Sequence, residues 1–341
     1  ALQIDWGEAT VKLAGEKVKV NLFCARMSYS CAPYVIAYRR QNLESFLDAI
    51  IHTLNYFGGV PRSMIFDNAR VAVKSGFGAH AAAQDDYSKL AAHYGFQPVF
   101  CNPASGNEKG LVENLVGYIR RNVCVPLPQV DSLEDLNTKL LEQCAKYMNH
   151  KIDGRSQKVG QMLAEDQAHL HPLPKYVLDI SKKAYPKVNR YSTVLFDTNY
   201  YSVPCKYRGK GTTVKAYPNR VEIWINGLLV ATHDRCMGRK QESLDLRHYL
   251  PILERKGRAI RYARPVLNAV PAEFLNWMEK QHLNSKQMVE LLEQCLTDGY
   301  LAVMQRDLPN PDTSIAKNDV PVLSVDLSQY DKLYERKGAA S

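Results

Sequence analysis

The chain has 341 residues, 45% hydrophobic and 23% charged, a composition that excludes wholesale disorder and at this length predicts two domains with appendages. No run approaches the ~18 to 20 apolar residues of a membrane span, and nothing resembles a signal peptide; the eight cysteines include no Cys-x-x-Cys pair, which argues against a zinc cluster and for reduced thiols in the cytoplasm. Lys and Arg outnumber Asp and Glu by 44 to 35, and the surplus is local: residues 182–264 carry 18 basic against 6 acidic side chains, so a basic region fit for a polyanion adjoins a slightly acidic body. The first residue is Ala1 and Leu2 already lies in an apolar run, so the sequence is expected to be a fragment lacking its upstream part.

The first hundred residues alternate strand and helix signals. Apolar runs at Ala1–Glu8, Lys17–Met27 and Ala32–Tyr38, separated by turn residues, predict an antiparallel meander. Leu43, Phe46, Leu47, Ile50, Ile51 and Leu54 have helical spacing behind a cap at Asn42, and Gly58-Gly59 ends that helix. Ser63–Phe66 predicts a short buried strand ending at Asp67, Gln84–Tyr94 a helix, Phe96–Phe100 a fifth strand, and residues 107–123 a helix. Three antiparallel strands followed by helix–strand–helix–strand–helix is the order of a ribonuclease-H-like α/β domain, expected over residues 1–130. Residues 131–189 then read as a helical extension (Leu133–Asn149) and, from Pro172 to Asn189, a Pro- and Lys-containing linker.

Five strand candidates follow: Thr193–Phe196, Tyr200–Val203, Thr212–Tyr217, Val221–Ile225 and Leu228–Thr232, the last two joined by Asn226-Gly227. They predict a small SH3-like β-barrel over residues 190–240. A basic segment and two helices (Ala272–His282, Ser285–Gln305) fill residues 241–307, and residues 308–341 read as an extended tail.

Three carboxylates could carry chemistry. Asp5 interrupts a strand otherwise made for burial, Asp67 ends the fourth strand, and Glu113 lies on the helix after the fifth. In a ribonuclease-H-like sheet strands one and four are neighbours and this helix packs beside them, so the three acids would converge. Converging carboxylates repel one another and favour bound cations; hard oxygen ligands select Mg²⁺ or Mn²⁺, and a pair of such ions suits reaction at phosphorus. Each acid alone is more ordinary, a turn residue or a solvated helix residue, and Glu108 is better explained as a first-turn acid facing the helix dipole. Lys109 and Arg120 share a helix face with Glu113 and could meet phosphates.

The segments Gln-Ile-Asp-Trp-Gly at 3–7, Ile-Phe-Asp-Asn at 65–68 and Asn-Pro-Ala-Ser-Gly-Asn-Glu-Lys-Gly-Leu-Val-Glu-Asn at 102–114 resemble the DDE transposase and retroviral-type integrase superfamily. So do Tyr-Ile-Arg-Arg-Asn at 118–122, Tyr-Ser-Val-Pro at 201–204 and His-Tyr-Leu-Pro-Ile-Leu-Glu-Arg-Lys at 248–256. The nearest resemblance is to the IstA transposases of insertion sequences that encode an IstA/IstB pair, over roughly residues 1 to 260. It implies that Asp5, Asp67 and Glu113 ligate two Mg²⁺ ions, with Mn²⁺ as a substitute. It also implies nicking of the element's ends to free 3′-hydroxyls, then attack of those hydroxyls on target DNA without a covalent protein–DNA intermediate. The implied partners are transposon terminal repeats and target DNA, further copies of the chain in a dimer or tetramer, and an AAA+ ATPase helper of IstB type, in a cytoplasmic, nucleoid-associated setting without a membrane. Relatives carry helix-turn-helix domains before the core, in line with a missing upstream part. The separation of Asp67 from Glu113 is longer than in the retroviral branch, which favours the transposase branch.

The basic candidates for DNA contact are Lys109, Arg120 and Arg121 on the late helix; Lys206, Arg208, Lys210, Lys215 and Arg220 in the barrel; and Arg255, Lys256, Arg258, Arg261 and Arg264 beyond it. Basic side chains pair phosphates and interleaved tyrosines stack on exposed bases, although the core is the plainer destination for half of those aromatics, Trp224 included. The rival readings are a non-catalytic DNA-binding scaffold of this fold and a simple nuclease.

Overall fold

Strand β1 (Leu2–Leu13) turns through Ala14 and Gly15, both at positive φ, into an equally long β2 (Glu16–Met27), and β3 (Pro33–Tyr38) completes the meander. This computed structural model describes residues 1–66, 73–75, 82–83, 85–100 and 115–306. Helix α1 (Leu43–Phe57) begins where Asn42 accepts a hydrogen bond from the Ser45 N–H and stops at left-handed Gly58. Then come β4 (Ser63–Phe66), β5 (Val73–Ser75), β6 (Ala82–Ala83), α2 (Asp85–Tyr94) and β7 (Gln97–Phe100). Helix α3 is described over 115–122, followed by β8 (Gln129–Val130), α4 (Leu133–Tyr147) and α5 (Val159–Ala168).

The strand order is β3-β2-β1-β4-β7, with β1 antiparallel to β2 but parallel to β4, and β8 joining the far end of β1. This is the ribonuclease-H-like order expected from the sequence. Period-two alternation divides the strands between two cores. On β2, Phe23, Ala25 and Met27 pack with α1 and α2, while Leu22 and Cys24 pack with Leu115, Val116 and Ile119 of α3 and with α4. The sheet is therefore covered on both faces, which is why β2 runs apolar without a break from Leu22 to Ala25.

Residues 159–180 are no free linker. Val159 and Met162 of α5 are buried in the first core, and Leu173, Leu178 and Ile180 pack on it. The second β region comprises β9 (Lys182–Ala184), β10 (Thr193–Phe196), β11 (Asn199–Ser202), β12 (Thr213–Ala216), β13 (Arg220–Ile225), β14 (Leu228–Asp234) and β15 (Glu242–Ser243). All five expected strands form. They are joined by β9 and β15 into a sheet β14-β13-β12-β9 and a second sheet β10-β11-β15, which share one core around Tyr201, Val214 and Ile223. Among the described residues no ladder closes the two sheets into a barrel. Arg235, its side chain 3% exposed, reaches Glu44 of α1 at 3.3 Å and Asp197 at 3.5 Å, tying this region to the first.

Ala1–His248 form one compact unit and the chain from Tyr249 a second. The second holds α6 (Leu250–Arg255), α7 (Arg264–Ala269), α8 (Ala272–Lys280), α9 (Ser285–Asp298) and α10 (Tyr300–Met304). The single helix expected over Ser285–Gln305 is broken at Gly299, whose φ of +83° no helical residue adopts. The tail expected at residues 308–341 lies outside the described residues. No helix among the described residues is long and apolar enough to cross a membrane.

Candidate active site and nucleic-acid surface

Asp5 sits mid-strand opposite Cys24 of β2. Its neighbours Ile4 and Trp6 face the α1 core, so alternation turns Asp5 to the opposite face with Gly7. That face is covered by α3, and the covering is close: a Cβ on Gly7 would lie 2.5 Å from Cγ1 of Val116. Gly7 is thus the residue that lets the helix reach the strand. The Arg120 Nε donates to the Glu8 carbonyl at 2.9 Å, a second fastening between α3 and β1.

The Asp5 carboxylate is half-buried, and its Oδ1 accepts the Trp6 N–H at 2.7 Å. Its charge is felt across the ladder: burial first, then Asp5 and Cys144, push the Cys24 thiol well up, against the opposing Arg120 guanidinium. Cys24 is therefore an inert buried thiol. Gln3, two residues before Asp5 on the same face, is also buried, and its Oε1 has no partner among the described residues. Of the other two acids, Asp67 follows Phe66 directly in sequence and Glu113 precedes Leu115 by two residues; both lie outside the described residues, as does Lys109. Among the described residues no group of three or more His, Cys, Asp or Glu could hold a metal ion.

The basic candidates divide by their partners. Arg120 and Arg121 are exposed on α3. Lys215 pairs with Asp179 at 3.0 Å and lies over the Trp224 ring, and Arg220 pairs with Glu222 at 3.0 Å over Tyr217. Burial would raise Asp179, but hydrogen bonds from Ser181, Lys215 and Lys183 outweigh it and hold the carboxyl well below the usual range. By contrast Lys206, Arg208 and Lys210 are exposed and make no ion pair among the described residues. Lys187, in the expected linker, and Arg190, at the start of the expected barrel, share that condition without being among the candidates; the signal available was the absence of any acid from 180 to 196. In the second unit Arg255, Lys256, Arg258 and Arg264 are exposed, while half-buried Arg261 pairs with Glu279.

Of the tyrosines, Tyr201 is core, as expected for some of them, but Trp224 is not. It stands between buried Ile223 and Ile225, so alternation turns it outward. One further titratable cluster is structural. His233 contacts the Ser202 carbonyl at 2.7 Å and the Ser243 hydroxyl at 3.0 Å, and His248 contacts the Ser202 hydroxyl at 2.8 Å. Burial pushes both imidazoles down, His248 to about 4, so they stay neutral near pH 7.

Residues 173–245 match the family model described as Mu transposase, C-terminal domain. A transposase of Aminobacter aminovorans is 32% identical over 317 residues, covering 89% of this chain and 61% of that protein. The transposase for insertion sequences IS1326/IS1353 of Pseudomonas aeruginosa is 31% identical over 313 residues, with 89% and 62% covered. The transposase for insertion sequence element IS21 of Pseudomonas aeruginosa is 30% identical over 254 residues, with 74% and 65% covered. The chain thus spans about three fifths of the length of the curated relatives it matches. Among solved structures, the HTLV-2 integrase catalytic core domain in complex with magnesium aligns at 15% identity and a TM-score of 0.33, over 47% of this chain and 93% of that one.

Proposed function

We propose that the chain, similar to the IS21 and IS1326/IS1353 transposases over about three fifths of their length, is an insertion-sequence transposase of IstA type and carries the DDE catalytic core that cleaves the 3′ ends of its element and transfers them to target DNA. The observation that carries the proposal is the shared face of Asp5 and Gly7, with α3 seated on Gly7 through Val116. Glu113 stands three residues before Val116 in sequence, and Asp67 directly follows Phe66, which pairs with Ile4 in the parallel register Leu2↔Met64, Gln3↔Ile65, Ile4↔Phe66. In this reading the three acids meet on the α3 side of the sheet.

The donor chemistry of Asp5 fits a divalent cation: hard carboxylate oxygens at a half-buried position, with one aimed by a backbone N–H. Asp5, Asp67 and Glu113 would hold two Mg²⁺ ions, or Mn²⁺ in their place, and bound ions supply charge neutralisation at the phosphodiester and activation of the attacking oxygen. The protein's own part is positional. β1 fixes Asp5, and Arg120 and Arg121 stand on the α3 surface where a DNA backbone would pass, with Lys109 as a further contact. The two-sheet region serves as the DNA-binding module in the place of the expected SH3-like barrel, and the basic segment of the second unit adds phosphate contacts. Pairing two transposon ends calls for a dimer or tetramer, acting with an AAA+ helper of IstB type on nucleoid DNA in the cytoplasm.

A strand-transfer reaction with pre-cut ends, Mg²⁺ and a plasmid tests this. Asp67→Asn is expected to abolish joining and leave DNA binding intact; joining at the normal rate would remove the site. Cleavage by the wild type without joining would point to a nuclease, and binding without either to a scaffold.

A further inference from the structure

We propose that segments 185–191 and 205–210 form one rigid basic–aromatic platform that takes DNA with unpaired bases in preference to continuous duplex. The inference rests on the reading of the chain as DNA-acting but not on its catalytic site. The two segments are joined by backbone hydrogen bonds: Val188 N–H to the Lys210 carbonyl at 2.9 Å, Gly209 N–H to the Val188 carbonyl at 3.0 Å, and Thr212 N–H to the Pro186 carbonyl at 3.0 Å. Two segments more than a dozen residues apart in the chain therefore share a surface.

That surface carries five exposed cations, Lys187 and Arg190 from one segment and Lys206, Arg208 and Lys210 from the other. The one acid between the segments, Asp197, is taken up by Arg40 at 3.4 Å and Arg235 at 3.5 Å. Five cations without acidic partners among the described residues form a field for phosphates. Beside them stand two large aromatic side chains, Tyr185 at 72% exposure and Tyr191 at 63%. The Arg190 guanidinium lies over the Tyr191 ring, 4.8 Å from its centroid.

The polar groups beside the cations narrow the ligand. Base edges in a duplex groove are read by Arg and Lys on guanine and by amide and carboxylate side chains on adenine and cytosine. The amide in this loop, Asn189, is consumed internally: its Oδ1 accepts the Tyr191 and Thr193 N–H groups and its Nδ2 donates to the Thr193 hydroxyl. The loop is thereby locked with its cations and rings outward, which lowers the ordering cost of binding. Exposed π-faces set among cations, with the loop's amide occupied, suit phosphates plus unstacked bases, as at a frayed or single-stranded DNA end.

The experiment is fluorescence anisotropy on the 341-residue chain without divalent cations, so that it is blind to catalysis. The probes are a blunt duplex, the same duplex with an unpaired flap, and a single strand. The wild type is expected to bind the flap more tightly than the blunt duplex. Y185A/Y191A is expected to weaken flap and single-strand binding by about 10-fold or more, with less than about 2-fold change on blunt duplex. K206Q/R208Q/K210Q is expected to weaken all three and flatten the salt dependence by roughly 0.7–0.9 per charge removed. Equal affinity of the wild type for blunt and flap DNA, or an equal or absent effect of the tyrosine pair on the two, would overturn the platform. Both tyrosines are exposed, so an unchanged melting curve separates lost contact from lost fold. Failed strand transfer with these binding results intact would count against the catalytic reading alone.

Discussion

The close approach of Val116 to Gly7 gives a sharp test. A Cβ at position 7 would meet Cγ1 of Val116 at 2.5 Å and Cγ2 at 3.4 Å. Carbon contacts prefer about 3.5–4.0 Å, so Gly7→Ala forces α3 away from β1 by roughly 1 Å, and overpacking of this kind costs about 1–3 kcal/mol. Val116→Ala alone removes two buried methyl groups, also at about 1–3 kcal/mol. In the double variant the clash is gone, so the two costs should fall short of their sum by about 1 kcal/mol or more. Urea denaturation of the four proteins reads this cycle. A displacement near 1 Å at the proposed active face should also lower strand transfer by roughly 100-fold in Gly7→Ala. A Gly7→Ala protein with the wild-type urea midpoint and no coupling to Val116 would refute the claim that this glycine seats the helix.

Arg235→Ala should destabilise the first unit by roughly 3 kcal/mol in urea, because it strands the buried Glu44 carboxylate that it meets at 3.3 Å; Arg235→Met with Glu44→Leu should recover most of that loss. Stability should also fall with acid through the histidine cluster. His248 titrates at about 4 when folded, below the ordinary histidine value of 6.5, so the unfolded chain binds the extra proton between those pH values. The contribution is complete above pH 6.5 and lost as pH falls towards 4. His248→Gln should flatten the pH dependence of the urea midpoint there by on the order of 2 kcal/mol, less than full linkage because the ring keeps some solvent contact. An unchanged slope would show that another group titrates.

Much of the architecture was legible because local and tertiary signals agree. Ser63–Phe66 is a strand in both readings, and Asn42 caps α1 as its side-chain chemistry suggests. The misses have physical causes. β9, Lys-Lys-Ala, has no strand propensity and exists because β12 offers it a ladder. Helix α5 buries only Val159 and Met162, too narrow a stripe for periodicity to reveal. Helices α6 and α7 are six residues each, shorter than two turns, and begin with a proline in the first turn. The outward face of Trp224 was readable, since it alternates with two buried isoleucines. At the candidate site, sequence supplied the acids and structure supplied the face on which Asp5 lies. No sequence pattern could join Lys187 to Lys210, because the bonds between their segments are backbone contacts across the β region.

The most direct test of the central claim is anomalous diffraction from crystals of the chain soaked in Mn²⁺. Metal peaks are expected about 2.1 Å from carboxylate oxygens of Asp5, Asp67 and Glu113 together, the distance hard divalent ions keep from oxygen ligands. Peaks at other acids, or at Asp5 without the other two, would contradict it.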